Sequence, residues 1–343
     1  MTSAPAIHRA VTARARAALP GALIALLLVV LLALAFIQTA QAQTCNATIP
    51  TASYGNVDIL SGAVADTSGS FTVTCTGTRN RTLRLCLDVS YGDTVNGAGL
   101  VRALVNGSNY LLHDIYSDPG RQQQWGAWGG GTFLFPFGSG GVTQDLALGS
   151  TGSASLTLTM YSRIAGSQQT LPPGTYLWRT ASAGFTYSYT TATPAPCPTG
   201  TLFYRGNPQS AVWTAIILPN CLVTATDVDF GATGYINANV DATGTIVARC
   251  TNTTPYSVAL SNGTGGGTGP LQRRMVKGSE AVIYGLYQNA GRTLAFGSTA
   301  GTDTLSGIGT GLAQTLNVYG RILPQTTPSA GAYADTITVT LTY

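Results

Sequence analysis

A chain that repeats one phrase in order along its length folds as repeated modules. The phrase here is YQNAGRTLAFG, residues 287–297, and its divergent copy is YSDPGRQQQWG, residues 116–126. Tyr116 matches Tyr287, Gly120 matches Gly291, Arg121 matches Arg292, and Trp125-Gly126 matches Phe296-Gly297 without a gap. Other blocks answer each other in the same order. FTVTCTGTRNRTLRLCLDVSYG answers GTIVARCTNTTPYSVALSNGTG, and GLVRALVNGSNYLLHDIY answers PLQRRMVKGSEAVIYGLY. LTMYSRI answers LNVYGRI, setting Tyr161 against Tyr319 and Arg163 against Arg321, and PPGTYLWRTASAGFTY answers SAGAYADTITVTLTY. Matches in one order exclude chance. Two copies are too few for a solenoid, so they describe two related domains.

Within each copy the signal is short alternating strands separated by Gly, Pro and Asn clusters. The clearest runs from Thr336 to Tyr343, with Ile337, Val339, Leu341 and Tyr343 on one face and threonines on the other. Tyr256–Leu260 and Ile283–Tyr287 read the same way, and long 3.6-period stretches are missing. This predicts an all-β protein of two tandem immunoglobulin-like β-sandwich domains, with an up-and-down barrel as the alternative.

The first residues are set apart from the fold. Arg9, Arg14 and Arg16 precede an apolar run from Ala22 to Ile37 and then Ala40-Gln41-Ala42. A basic start, an apolar centre and an A-x-A end predict a signal peptide over 1–42 and secretion, in preference to a membrane anchor, for which the run is short. The full chain has 17 Lys and Arg against 13 Asp and Glu. Without the three leader arginines, 14 oppose 13, and no basic stripe is left for nucleic acid. Lys277 is the one lysine and Glu280 the one glutamate.

Six cysteines, all after the leader, suit an oxidising compartment and allow fifteen pairings. The interval from Cys45 to Cys75 nearly equals that from Cys221 to Cys250, which predicts one bridge within each copy. Cys86–Cys197 is then the third. A metal site is the rival use, but no C-x-x-C occurs and His113 is the one histidine beyond the leader.

The second copy resembles the spore coat protein U domain family, which includes pilins of archaic chaperone–usher pili. The marks are Cys221, VDFG at 228–231, Cys250, RRM at 273–275, YGLYQNAGR at 284–292, FG at 296–297, VYGRILPQ at 318–325 and GAYADTITVTLTY at 331–343. The first copy, from Cys45 to about Tyr189, is divergent; it has YGNVDIL in place of VDFG and lacks the Y-x-D-T ending. The resemblance implies assembly by strand donation. Such a pilin-type sandwich is incomplete, and a strand from the adjacent subunit fills its groove. A periplasmic chaperone fills it before export through an outer-membrane usher. An open sheet edge leaves backbone groups unpaired and apolar side chains wet, and a donated strand corrects both.

The expected layout is then signal peptide 1–42, an N-terminal adhesin domain 43–205, a linker or cis donor strand 206–220, and a C-terminal pilin domain 221–343. Ile337, Val339, Leu341 and Tyr343 are expected to line the donor-strand groove. Little chain lies between the expected cleavage site and Cys45, so the protein is expected to accept a strand and donate none, like a pilus-tip adhesin at the cell surface that serves attachment and biofilm formation. The segment SAVWTAIILPNC, 210–221, alternates Val212, Thr214 and Ile216. It reads either as a strand closing the first domain in cis or as a linker. A secreted spore or cell coat protein without an usher is the alternative function, and a carbohydrate-binding module the third.

The copies differ most at AWGGGTFLFPFGSGG, 127–141. Trp128, Phe133, Leu134, Phe135, Pro136 and Phe137 sit there among glycines. This reads as an apolar loop for hydrophobic or carbohydrate surfaces, or as a core strand with Phe133, Phe135 and Phe137 alternating. Trp125, Tyr176 and Trp178 are expected in the core. Tyr187, Tyr189, Phe203, Tyr204 and Trp213 are expected in interdomain packing. His113 and Asp114 are neighbours on a predicted strand and point to opposite faces, which argues against a catalytic dyad. No nucleophile elbow, phosphate loop or zinc motif occurs, so no enzyme, cofactor or metal is expected.

Overall fold

The computed structural model describes residues 44–48, 51–89, 102–126, 141–179, 185–190, 197 and 212–343. Among them there are strands and turns and no helix. The leader, the stretch from Trp128 to Phe137, Phe203 and Tyr204 lie outside the described residues, as do the side chains of Tyr187 and Tyr189.

The first half contributes β1 (Thr44–Thr48), β2 (Ala52–Val57), β3 (Ala65–Thr76), β4 (Thr82–Val89), β5 (Ala103–Asn106) and β6 (Asn109–Tyr116). It continues with β7 (Val142–Ala147), β8 (Ser153–Ile164), β9 (Gly174–Arg179), β10 (Phe185–Thr190) and β11 (Val212–Ile217). One sheet runs β1-β3-β8-β6-β5-β9-β11-β2, and the facing one runs β10-β4-β7. Between them lies a core that includes Phe71, Leu85, Trp125, Tyr176 and Trp178, all buried.

The second half contributes β12 (Cys221–Ala225), β13 (Val240–Cys250), β14 (Pro255–Leu260), β15 (Arg273–Lys277), β16 (Glu280–Tyr287), β17 (Leu305–Ile308), β18 (Gln314–Ile322) and β19 (Val339–Thr342). Its sheets run β12-β13-β18-β16-β15 and β17-β14-β19 around a separate core of Ile246, Val258, Leu286, Phe296 and Val318. The molecule is therefore all-β, with two immunoglobulin-like sandwiches in tandem. Disulfides join Cys45 to Cys75, Cys86 to Cys197, and Cys221 to Cys250. The first and third link residues directly opposite in β1/β3 and β12/β13.

The repeated phrase performs the same work in both halves. Arg121 and Arg292 hold left-handed backbone, φ 55° and 52°, a conformation that costs a non-glycine residue energy and persists where its surroundings determine it. Asp118 and Asn289 help determine it, each accepting two backbone N–H groups of its loop. The arginine then donates from Nε to the Ser162 carbonyl in one copy and the Gly320 carbonyl in the other. Each guanidinium lies 5.7 Å from a tyrosine ring, Tyr161 or Tyr319. Trp125 and Phe296 close the phrase, donating 2.8 Å bonds from their backbone N–H to Ile115 and Leu286. A buried arginine donates to each of their carbonyls, Arg102 to Trp125 and Arg273 to Phe296.

Candidate functional site

Laying one half over the other exposes a difference at one edge. β1, β3, β8, β6 and β5 correspond to β12, β13, β18, β16 and β15, and β10-β4-β7 to β19-β14-β17. In the first half the large sheet continues through β9, β11 and β2. β11 pairs antiparallel with β9, placing Trp213 opposite Trp178, Ala215 opposite Tyr176 and Ile217 opposite Gly174. It pairs parallel with β2, and β2 has no other strand partner among the described residues.

Residues 212–217 thus form an inserted strand of the first sandwich, and the face they turn inward is that of Trp213, not that of Val212, Thr214 and Ile216. Trp213, Ala215 and Ile217 are buried, whereas Val212, Thr214 and Ile216 are half-buried. The reason is Trp213, which fills the core against Trp178 and Tyr54, with 6.3 Å between ring centroids in each pair. It belongs to this core and not to a contact between the halves.

The second half has no described counterpart of β11. β9 is represented there by residues 331–336, which make one bridge, Ala334 to Val276. Gly331 at φ 155° stands where Gly174 stands at φ 148°. β2 is represented by 228–231, with Gly231 at φ 68° answering Gly55 at φ 67°. Without a strand between them, neither segment is a β-strand. Among the described residues, Val228, Asp229, Phe230, Tyr333, Asp335 and Ile337 make no backbone hydrogen bond. The run expected as one strand from Thr336 to Tyr343 is strand only from Val339, because the chain first crosses from the Val276 edge to the facing sheet.

Between the two unpaired segments lies a groove of two cavities, about 510 Å³ and about 620 Å³. The first has Ile246, Leu260, Leu286 and Val318 in its lining, and the second Ile236, Val282 and Ile322. Val228, Asp229, Phe230, Met275 and Tyr333 border both. Of the four expected lining residues, Ile337 and Val339 border the first cavity. Leu341 packs against the core opposite Val258, and Tyr343 is exposed with its hydroxyl donating to Asn220. Val228, Phe230 and Tyr333 were missed as individual residues. The alternation of Val228 with Phe230 was the available signal.

The groove's polar groups are fixed from within. Asp335 accepts from the Tyr284 hydroxyl at 2.8 Å and from the Gly265 N–H at 2.9 Å. Burial, and then this carboxylate, push the Tyr284 phenol well above its ordinary pKa. Tyr333 donates to the Ser329 carbonyl at 2.8 Å and lies 3.1 Å from Glu280, with Lys277 5.5 Å over its ring. Hydrogen bonds from Ser329 pull the Glu280 carboxyl down to about 2.

In the closed first half His113 and Ser162 are buried and Tyr54 is half-buried. His113 stands for Tyr284, Ser162 for Gly320 and Tyr54 for Phe230. The Ser162 hydroxyl donates to the Asp114 carbonyl and contacts both Tyr54 and His113. Burial, and then the nearby Arg102, lower the His113 imidazole to about 3. Asp114 turns the other way and pairs with Arg102, so the two neighbours form no dyad. Among the described residues, no group of three or more His, Cys, Asp or Glu gathers as metal ligands would.

The family model described as Spore Coat Protein U domain matches residues 31–177 and again 209–340. Over 114 residues the chain is 30% identical to Protein U of Myxococcus xanthus, which is 32% of this chain and 63% of that protein. The chain thus spans less than two thirds of that relative's length. Among solved structures it is similar to a chain of the chaperone–tip adhesion subunit pre-assembly complex of archaic chaperone–usher Csu pili of Acinetobacter baumannii. That match is 20% identical with a TM-score of 0.49 and covers 88% of this chain and 100% of that one. The CupB6 tip adhesin from Pseudomonas aeruginosa is 11% identical with a TM-score of 0.32, covering 86% and 94%.

Proposed function

Since the chain belongs to the Spore Coat Protein U domain family, we propose that it is a chaperone–usher pilus subunit whose second sandwich accepts a β-strand from another polypeptide. The observation that carries this reading is the groove between 228–231 and 331–337, which reaches the core side chains Ile246, Leu260, Leu286 and Val318 and is bounded by unpaired backbone. Unmet N–H and C=O groups beside wet apolar surface cost free energy, and one extended segment relieves both. The first sandwich supplies its own example, since β11 does this in cis.

In this reading the chain has two domains. Residues 44–217 form the adhesin domain, completed by its own strand, and 221–343 the pilin domain. One domain closed and one open suits a subunit at the tip, held by the strand it accepts and presenting the other domain outward. A periplasmic chaperone holds the groove until an outer-membrane usher exchanges it for the adjacent subunit's strand at the cell surface. The loop with Trp128, Phe133, Leu134, Phe135, Pro136 and Phe137 is the proposed contact with hydrophobic or carbohydrate surfaces, serving attachment and biofilm formation. No catalytic role is assigned.

The test is strand uptake by the full chain. A synthetic peptide with the sequence of residues 210–218 is added, and hydrogen exchange and thermal unfolding are followed. At about 100 times its Kd the peptide adds about 2.7 kcal/mol to the second sandwich and protects 228–231 and 332–337. A scrambled peptide does neither. A second sandwich indifferent to every alternating peptide rejects strand acceptance and favours a coat protein assembled without an usher.

A further inference from the structure

The groove's shape specifies more than the presence of a strand. Its two cavities meet at a waist, the shared border that Val228, Phe230, Met275 and Tyr333 form. The order along the walls is consistent. Residues 225–227 border only the first cavity and 231–234 only the second, while on the facing wall Ala334, Asp335, Ile337 and Val339 border the first and 327–332 the second. A strand parallel to the first wall and antiparallel to the other, as β11 runs between β2 and β9, therefore passes cavity, waist and cavity in turn.

The first sandwich shows what such a passage holds. Tyr176 occupies the place of Tyr333, and the residue opposite it on β11 is Ala215. The inward residues on either side of Ala215 are Trp213 and Ile217. Their partners, Trp178 and Gly174, correspond to Asp335 and Gly331, which border the first and second cavity respectively. Large, small and large side chains thus follow one another where the second sandwich has cavity, waist and cavity.

Contacts on both walls hold the side chains at the waist. Tyr333 is tied at its hydroxyl to Ser329 and Glu280 and covered by Lys277. On the far wall, Phe230 stands edge-on to Tyr284 at 5.8 Å and rests on Gly320, where an added Cβ would come within 2.7 Å of its ring.

Resting on the strand-accepting reading above, we infer that the strand this groove takes reads large–small–large at three successive inward positions. The middle one is Gly, Ala or Ser opposite Tyr333. A larger middle residue must displace Tyr333 or Phe230 from a packed seat, which is unfavourable. A smaller flanking residue leaves a cavity unfilled. Specificity among candidate strands then lies in what the waist rejects as well as in what the cavities attract.

The experiment titrates the full chain with four peptides: residues 210–218 unchanged, the same with Ala215→Leu, the same with Trp213→Ala, and a scrambled control. The expected result is binding of the unchanged peptide and losses of about tenfold or more for both variants. Because the changes are in the peptides, folding of the protein is not at issue. A second arm uses Tyr333→Ala protein, in which the Ala215→Leu peptide regains affinity relative to the unchanged one. Equal or tighter binding of the Ala215→Leu peptide to the native protein overturns the inference while leaving strand acceptance intact. Absence of binding by every peptide overturns strand acceptance, and the pattern with it.

Discussion

The two sandwiches of this chain share the order of eight strands, loop chemistry and one disulfide position, and differ where β9, β11 and β2 extend the first. In the first, β11 lies between β9 and β2 and buries Trp213, Ala215 and Ile217. In the second, the flanking segments are present, carry the same glycine conformations, and face each other across a groove. The comparison teaches that the flanking segments are strands because of their neighbour. Residues 52–57 form β2 with β11 alongside, whereas 228–231, built on the same plan, is not a strand without one. Backbone pairing here is a property of the pair of segments, and sequence propensity of either one does not decide it.

The largest effect is expected from opening the closed half. Trp213→Ala removes a fully buried indole and should cost the first sandwich about 3–5 kcal/mol. Amide exchange in 52–57 should then rise toward that of 228–231. If 52–57 stays protected in this variant, the equivalence of the two edges fails.

Acid should separate the halves less strongly. His113 titrates near 3 in the fold against 6.5 for the free side chain, because burial disfavours its charged form. Its folded pKa is depressed, so its contribution is fully present above about pH 6.5 and is lost as pH falls toward 3. At about pH 4.5 the first sandwich should have lost roughly 2–3 kcal/mol from this group relative to neutral pH. The groups around it are Tyr54, Ser162, Trp178, Trp213 and Arg102. His113→Gln should flatten this part of the pH profile, measured by denaturant melts of the full chain. The second sandwich, with Tyr284 in that place, should show no matching step.

The smallest effect should be the same in both halves. Asp66 accepts both ends of the Arg163 guanidinium and Asp241 both ends of Arg321, and these bonds hold each carboxyl below its ordinary pKa. Both carboxylates are about one-third exposed, so each pair is worth little. Asp66→Asn and Asp241→Asn should each cost about 0.5–1 kcal/mol, as bidentate but solvated pairs do. A large inequality between the two would break the equivalence at its most regular point.

Much of this is legible in the sequence. Gly120-Arg121 and Gly291-Arg292 signalled a shared loop, and the alternating threonine strands signalled sheets with one wet face. Three things were not legible, each for a physical reason. Residues 212–217 are apolar on both faces, so alternation alone could not choose Trp213 over Val212; only the indole's fit against Trp178 does. Residues 336–343 keep one alternation while the chain crosses between sheets, so periodicity continued through a crossing it could not register. The groove's walls carry ordinary apolar residues such as Val228 and Phe230, and their significance is the absence of a neighbour, which sequence does not encode locally.

Lys277 is the sole lysine of the sequence, and its ammonium sits over the Tyr333 ring, 2.7 Å from the Ala330 carbonyl. Acylating reagents aimed at ε-amines therefore have a single address on this protein, beside the place where the groove's two cavities meet. A dye attached there would report arrivals at that point without engineering a new attachment position.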